Sequence, residues 1–371
     1  MFSKSAFVLL LGSFVLSSCS EKKEPMSNEM SSLKYARGFT INSHETFTEI
    51  EVFQARSSLK YILVPKGNAV PSHLPDAQII RTPITNLVCT STSHVAILDQ
   101  LNEINKLVGF PSTDLISSAS ARTRIDSGLV TDLGIDKEIN LELLASLEPD
   151  LVMGYSISGD MLKLDKVQGL GIPVVINGEY LEEHPLGRAE WIKFAAPFFQ
   201  KEALADSIFN FVENQYLEAQ KLITEESRQP TVLSGILYGD TWFLPGGQNY
   251  AAQLFRDAGY TYLWDSDSTS GFLQLSFESV FARAQDADYW IGVGSFNSLG
   301  ELANAEERYS LFRPFRENRI YTYDARRGST GGSQYLELGY SRPDIILKDL
   351  IKIAHPELLD DHQLFFHQRL Q

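Results

Sequence analysis

The 371-residue sequence predicts an α/β protein of two lobes, with parallel-rich sheets flanked by helices and a helical connector between the lobes. Three observations carry this reading. Strand signatures alternate with helix signatures along two stretches, as in βαβ units. Between about Gly187 and Glu226 the strand signatures stop, and apolar residues recur at helical spacing. Each stretch also contains the same short pattern. Asn140-Leu141-Glu142 opens a helix leading to Pro149-Asp150-Leu151-Val152, and Ser276-Phe277-Glu278 opens one leading to Asp286-Ala287-Asp288-Tyr289-Trp290. A capping residue, a carboxylate and then a strand make the halves pseudo-equivalent. The length suits two domains of about 100–200 residues each. An apolar content of 43% against 21% charged residues supports a sizeable core and excludes wholesale disorder.

The N-terminus reads as a secretion signal. Lys4 supplies a positive start, and Ala6 to Leu16 is apolar but shorter than the roughly 20 residues that span a bilayer. The run ends in Leu16-Ser17-Ser18-Cys19, which resembles a bacterial lipobox, whose cysteine is diacylated and becomes the mature N-terminus. An ordinary secretory signal would need no cysteine there. We therefore expect a signal peptide over 1–18, a lipidated Cys19, and a polar tether to residue 32. Removing Lys4 takes the net charge from −15 to −16, and Cys89 is left as the one free thiol. That excludes an internal disulfide and a cysteine-built zinc site. The acidic balance argues against a phosphate backbone, so nucleic acid is not an expected partner.

The first lobe is expected over 33–186. Phe39 to Ile41, Thr48 to Phe53 and Tyr61 to Val64 read as a β-meander within 33–80, the second alternating polar and apolar side chains. Ile84 to Cys89 is a strand, followed by the hydroxyl-rich turn Thr90 to Ser93 and a helix from about His94 to Leu107. Asn140 caps a helix to Leu147. The strand Leu151 to Met153, a helix from Met161 to Leu170 and the strand Val174 to Ile176 complete the lobe. The connecting helix covers 187–227, with Trp191, Phe194, Phe198, Ile208 and Phe211 on its apolar face and Pro197 as a kink or break.

The second lobe is expected over 228–371. Its strands are Thr231 to Leu233, extended in apolar character by Ile236 to Tyr238, then Tyr289 to Val293 and Arg319 to Tyr323. A helix from Ala251 to Ala258 ends at the C-capping Gly259, and another spans Phe277 to Ala284. Leu336 to Ala354 is helical apart from the region before Pro343, and an amphipathic tail starts at His355.

These pieces, in this order over residues 80–355, resemble the substrate-binding lipoproteins of bacterial ABC importers. The specific class is the helix-linked one, class III of the periplasmic binding proteins, which handles iron complexes and cobalamin. Phe243-Leu244-Pro245-Gly246-Gly247 and Ser341-Arg342-Pro343 add to the likeness in the second half. The resemblance implies two lobes joined by one long helix, a ligand in the cleft between them and limited hinge motion. It implies an ABC permease with its ATPase as partners, membrane attachment through the lipid, no catalytic residues and no resident cofactor. It also implies that Glu142 and Glu278 pair with permease arginines. An acid in a helix first turn is favoured by the helix dipole in any protein, by about 0.3–1 kcal/mol. The meander before residue 80 has no role in this comparison.

Loops after parallel strands form the natural cleft. They are Thr90–His94, Ser117–Asp126, Tyr155–Gly159 and Gly178–Arg188 in the first lobe. In the second they are Tyr238–Gly247, Trp264–Phe272, Gly294–Leu299 and Asp324–Tyr335. The candidate ligand residues in them are Tyr155, Tyr180, Arg188, Tyr238, Trp242, Trp264, Phe272, Arg326 and Arg327, with Arg122 and Arg124 in the second loop. Aromatics give flat contact area and arginines grip anions. A ferric siderophore would use both, and cobalamin mostly the aromatics. Haem would use aromatics, arginines for its propionates and a tyrosine or histidine on its iron. Phe272 stands six residues before Glu278, where the cobalamin-binding branch places a tryptophan, which argues against cobalamin.

No metal site is expected. The seven histidines form no HExxH, His94 and His184 have no histidine before His355 to meet them from the second lobe, and no pair shares a helix face. No GxSxG, Walker or GxGxxG motif occurs, and Ser31-Ser32-Leu33-Lys34 and Ser57-Ser58-Leu59-Lys60 lack a K-T-G partner. The sequence thus reads as a binding protein rather than an enzyme. A lipoprotein scaffold or sensor of the same fold, or a cell-envelope hydrolase using abundant carboxylates, are the alternatives.

Overall fold

A computed structural model describes residues 33–54, 57–71, 77–135, 138–155, 162–225 and 227–371. The signal peptide, Cys19, the tether and Met161 lie outside them. The strands β1 (Phe39–Ser43), β2 (Thr48–Phe53) and β3 (Ser58–Pro65) form the antiparallel meander. A further strand, β4 (Ala77–Thr82), runs parallel to β3. Its Ile79 is exposed and its Ile80 buried, so two adjacent isoleucines hid the alternation from a sequence reading.

The first lobe continues with β5 (Leu87–Cys89), α1 (Thr92–Gln100), β6 (Leu107–Phe110), α2 (Ala119–Asp126), β7 (Thr131–Asp132), α3 (Leu141–Ser146), β8 (Leu151–Gly154), α4 (Leu162–Gly169) and β9 (Val174–Ile176). The strands form one parallel sheet in the order β7-β6-β5-β8-β9. The helix expected from His94 to Leu107 is shorter. Asn102 adopts a left-handed φ of 59° and ends it, and the apolar run Leu107 to Phe110 becomes β6. Such unbroken apolar runs suit strands covered on both faces. The segment 117–126, expected as a cleft loop, carries the helix α2 from Ala119 onward. Ser118 Oγ accepts the Ala121 N–H and nucleates it.

The connector is a run of helices: α5 (Pro185–Glu190), α6 (Ile192–Ala195), a 3₁₀ turn over Ala196–Phe198, and the 19-residue α7 (Glu202–Gln220). The connector expected over 187–227 is broken beside Pro197, where the proline predicts a kink or break, in place of the one long helix that the resemblance implies, and Gln200 at φ 59° completes the turn. Trp191, Phe194, Phe198 and Phe209 are buried here and belong to a core that runs unbroken through both lobes. The N-terminal segment is strapped onto this connector. Glu190, fully buried, accepts the backbone N–H groups of Lys34, Tyr35 and Ala36. Glu182 accepts those of Arg37 and Gly38 and the Trp191 indole N–H.

The second lobe contains β10 (Thr231–Ser234), β11 (Ile236–Tyr238), β12 (Thr241–Pro245), α8 (Tyr250–Asp257), β13 (Thr261–Tyr262), β14 (Phe272–Leu275), α9 (Phe277–Ala284), β15 (Tyr289–Ile291), α10 (Leu299–Ala305), α11 (Arg313–Arg316), β16 (Ile320–Thr322), α12 (Gln334–Leu338), α13 (Pro343–Ala354) and β17 (Gln368–Arg369). Its main sheet has the order β13-β10-β15-β16-β17, parallel except for β17. Strands β11, β12 and β14 form a separate antiparallel sheet. Ile236 to Tyr238 does not extend β10. Gly235, at φ 79°, turns the chain out of one sheet into the other, and a Cβ there would meet the Phe243 carbonyl oxygen at 1.9 Å. The tail from His355 does not remain a separate amphipathic piece but returns as the edge strand β17.

The pseudo-repeat is visible in the topology, since β6-β5-β8-β9 matches β13-β10-β15-β16. Asp150, just before β8, accepts the Thr85 N–H and hydroxyl and the Asn86 N–H at the start of β5. Asp288, just before β15, does the same to Thr231 at the start of β10. Burial alone would raise both pKa values. The hydrogen bonds from Thr85 and Thr231, with Arg313 beside Asp288, hold both carboxyls below the usual range.

Candidate ligand cavity

A cavity of about 840 Å³ opens between the lobes at the C-terminal ends of the second-lobe strands. The small antiparallel sheet supplies one wall. Cross-strand partners share a face, so Ile236 opposite Phe243 and Pro245 opposite Phe272 line the cavity, while Trp242 and Leu244 face the core. The opposite wall comes from Tyr250 on α8, Tyr335 on α12, Tyr340 and Tyr323. From the first lobe Tyr180 and Leu181 reach in, from the connector Arg188 does, and from the C-terminal tail His367 does. Burial pushes the Tyr180 and Tyr323 phenols above the ordinary range, Tyr335 well above it and Tyr340 up to about 12, so these groups act as neutral hydroxyls.

Of the residues predicted from sequence, Tyr180, Arg188 and Phe272 line this cavity. Arg188 is 7% exposed and already committed. Its Nε donates to the Glu182 carbonyl at 3.1 Å and its Nη2 to the Tyr180 carbonyl at 2.8 Å. Its guanidinium carbon lies 3.4 Å from the Tyr250 ring centroid and 4.7 Å from that of Tyr340. Arg188 thus bridges the lobes by stacking, as guanidinium groups do on aromatic faces.

The remaining predicted residues lie elsewhere. Tyr155 packs edge-on against Tyr180 with centroids 6.3 Å apart. Tyr238 is 81% exposed at the β11–β12 turn and touches Phe243. Trp242 is fully buried, donates its indole N–H to the Ser234 carbonyl and stacks among Trp290, Tyr309 and Phe312. Its parity in β12 sends it inward and its neighbour Phe243 outward. Trp264 is buried beside Tyr262 and under Arg283. Arg326 covers the Phe365 ring at 4.1 Å, and Arg327 pairs with Asp324. Arg122 bonds Asp126 and the Thr113 carbonyl, and Arg124 the Leu107 carbonyl. His184 caps α5, its Nδ1 accepting the Leu186 N–H. His94 is buried in α1, and burial pushes its pKa down to about 3. Among the described residues no cluster of three or more His, Cys, Asp or Glu side chains is placed to hold a metal ion.

Tyr250, Leu254 and Phe255 on α8 and His367 on the tail also line the cavity, though none lies in a loop after a parallel strand. The amphipathic face of α8 was the one signal that could have found the first three. Glu142 and Glu278 are exposed in the first turns of α3 and α9, whose caps are Asn140 and Ser276. Each helix leads into a parallel strand, so its N-terminus sits at the sheet edge where the cavity opens. Glu278 also pairs with Arg308 at 3.3 Å in solvent.

The chain is 25% identical over 332 residues to an uncharacterized lipoprotein of Methanocaldococcus jannaschii, covering 85% of this chain and 77% of that one. Its fold matches a periplasmic binding protein from Veillonella parvula with a TM-score of 0.60 at 15% identity, over 84% of this chain and 99% of that one. A periplasmic heme-binding protein from Roseiflexus sp. RS-1 in apo form matches with a TM-score of 0.55 at 19% identity, over 74% of this chain and 98% of that one. The family described as "Periplasmic binding protein" matches residues 87–326, well over half the sequence and both parallel sheets up to β16. By that match, and by two pseudo-equivalent lobes meeting at the ends of their parallel strands, the chain belongs to the periplasmic binding protein family.

Proposed function

We propose that the chain is the lipid-anchored, non-enzymatic solute-binding component of an ABC importer and that its cargo is a metal complex with a flat, largely apolar body. The single observation that carries this is the 840 Å³ cavity walled by aromatic side chains from both lobes. Its size suits a small molecule, since such sites run to about 300–1,000 Å³. Exposed Leu181, Phe272 and Leu336 from the two lobes ring it with apolar surface. Arg188, Arg326 and Arg327 have partners inside the protein, which weighs against a strongly anionic siderophore, while the aromatic walls suit the flat body of a haem-like ligand. The Roseiflexus neighbour is described as heme-binding, and the Methanocaldococcus relative as a lipoprotein, which fits the lipidation expected at Cys19. Glu142 and Glu278 are the groups we assign to permease docking.

The test is a tryptophan-fluorescence titration with haem, ferric siderophores and cobalamin, since Trp191, Trp242, Trp264 and Trp290 are internal reporters. We expect saturable quenching by haem at micromolar concentration or below, about −8 kcal/mol or stronger, with the ligand recovered unchanged. Turnover of the ligand, or no response to any of the three, would overturn the proposal.

A further inference from the structure

The last stretch of chain, beyond the family match at residue 326, folds back to the cavity and carries a histidine there. Its return is organised by one carboxylate. Asp349 on α13 is fully buried and accepts the backbone N–H groups of Phe365, Phe366 and His367 at 2.7–3.0 Å. It also bonds His362 Nε2 at 2.7 Å and His367 Nδ1 at 3.1 Å. His367 is 3% exposed and lines the cavity edge-on to Tyr335, with ring centroids 5.9 Å apart.

We infer that His367 is a Lewis base for the metal centre of the cargo, its ring held by Asp349 so that Nε2 faces the cavity. The inference rests on the cavity being the ligand site. A carboxylate on Nδ1 fixes the tautomer with the proton on Nδ1, which leaves the Nε2 lone pair free, and it raises the donor strength of the ring. A carboxylate is one of the partners that metal-ligating histidines commonly keep on their other nitrogen, and a neutral imidazole suits iron, copper, nickel or zinc. The cavity's phenols must lose a proton before they can bind a metal strongly; imidazole Nε2 need not. His362, the other histidine on Asp349, spends its Nε2 on that carboxylate. His367 is therefore the tail's one nitrogen donor directed at the ligand, and the ligand class it selects is a metal complex with an open coordination position on a flat apolar scaffold.

The experiment titrates ferric protoporphyrin IX and iron-free protoporphyrin IX into the full chain in detergent, as wild type, His367→Ala and His367→Gln. The glutamine variant keeps a donor for Asp349 and so guards against a merely unfolded tail. We expect the wild type to bind the iron form at least about tenfold more tightly than the iron-free form, in line with ligand-shell effects of roughly 10–100-fold. Both variants should lose that preference, their ferric absorption bands should shift, and added imidazole should restore the wild-type bands to His367→Ala. Equal wild-type binding of the two porphyrins, or unchanged bands in both variants, overturns the assignment and leaves the cavity reading intact. Equal loss of both porphyrins in the variants makes His367 a packing residue and likewise overturns it. Failure of the wild type to bind either porphyrin overturns the haem-like reading and this inference together.

Discussion

Trp242 and Phe243 are neighbours in β12 and face opposite ways, one into an aromatic core and the other into the cavity. At the residue scale that one-position difference decides what a substitution does. Trp242→Ala removes a fully buried ring packed against Trp290, Tyr309 and Phe312, and should cost about 3–5 kcal/mol of stability. Phe272→Ala removes a 62% exposed ring at the cavity wall. It should leave stability within about 0.5 kcal/mol while weakening ligand binding by about tenfold, 1.4 kcal/mol. Chemical denaturation beside a ligand titration checks both; a Phe272→Ala protein with undiminished affinity would remove that wall from the site. The sequence reads all three residues as part of loops after parallel strands, but they lie on β12 and β14 of the small antiparallel sheet. It does not reveal which residues point inward, because the register of β11, β12 and β14 decides that and is set by partners far along the chain.

Among the elements, α12 of the second lobe and α2 of the first meet through a single carboxylate. Glu337 is buried and accepts the Ser117 N–H at 2.5 Å and the Ser118 N–H at 2.8 Å. Gln100 to Ser341 and Thr330 to the Asp114 carbonyl add two more bonds across the same seam. Burial raises the Glu337 pKa to about 7 against the pull of the Ser117 and Ser118 hydrogen bonds, and Asp99 nearby raises it further. Unfolded or solvent-exposed, the group would titrate near 4.5. A raised acid pKa means the closed protein binds the proton more tightly than the unfolded one. The stabilisation is therefore complete below about pH 4.5 and is lost as pH rises through about 7. The difference amounts to about 3 kcal/mol across that window. We expect the thermal midpoint of the wild type to fall more between pH 5 and pH 8 than that of Glu337→Gln. Parallel pH profiles for the two proteins would show that Glu337 does not titrate in the seam. This contact was illegible in the sequence, where residues 117–126 read as a loop. The elements that were legible, α3, α8 and α9, carry local signals: Asn140 and Ser276 each accept a helix N–H in α3 and α9, and Gly259 follows α8 at φ 77°. The strands β6 and β17 were not, since one lay hidden behind a helix-like run and the other depends on Asp349 gathering the tail.

For the whole molecule, the repeated strand order and the paired roles of Asp150 and Asp288 give the lobes a common frame. Glu142 and Glu278, which we assign to permease docking, occupy equivalent places in it. This much was written in the sequence twice, which is why it could be read once per lobe. The connector adds rigidity. Its buried aromatics belong to one core continuous with both lobes, and the Lys34 to Gly38 strap is bonded to Glu190 and Glu182. A lipid on Cys19 would then tether the molecule through a segment that ends on the connector. Glu142 is solvent-exposed, and the Glu278–Arg308 pair is open to water and contributes little to stability. Removing both carboxylates should thus leave the fold and the ligand affinity as they are. Transport is where the loss should appear: cells carrying Glu142→Ala with Glu278→Ala should take up no labelled ligand, although the purified protein still binds it. Cys19→Ala supplies the contrast, since it should move the protein from the membrane to the soluble fraction while both glutamates remain. Normal uptake by the double variant would separate delivery from these two positions, and continued membrane association of Cys19→Ala would place the anchor elsewhere in the chain.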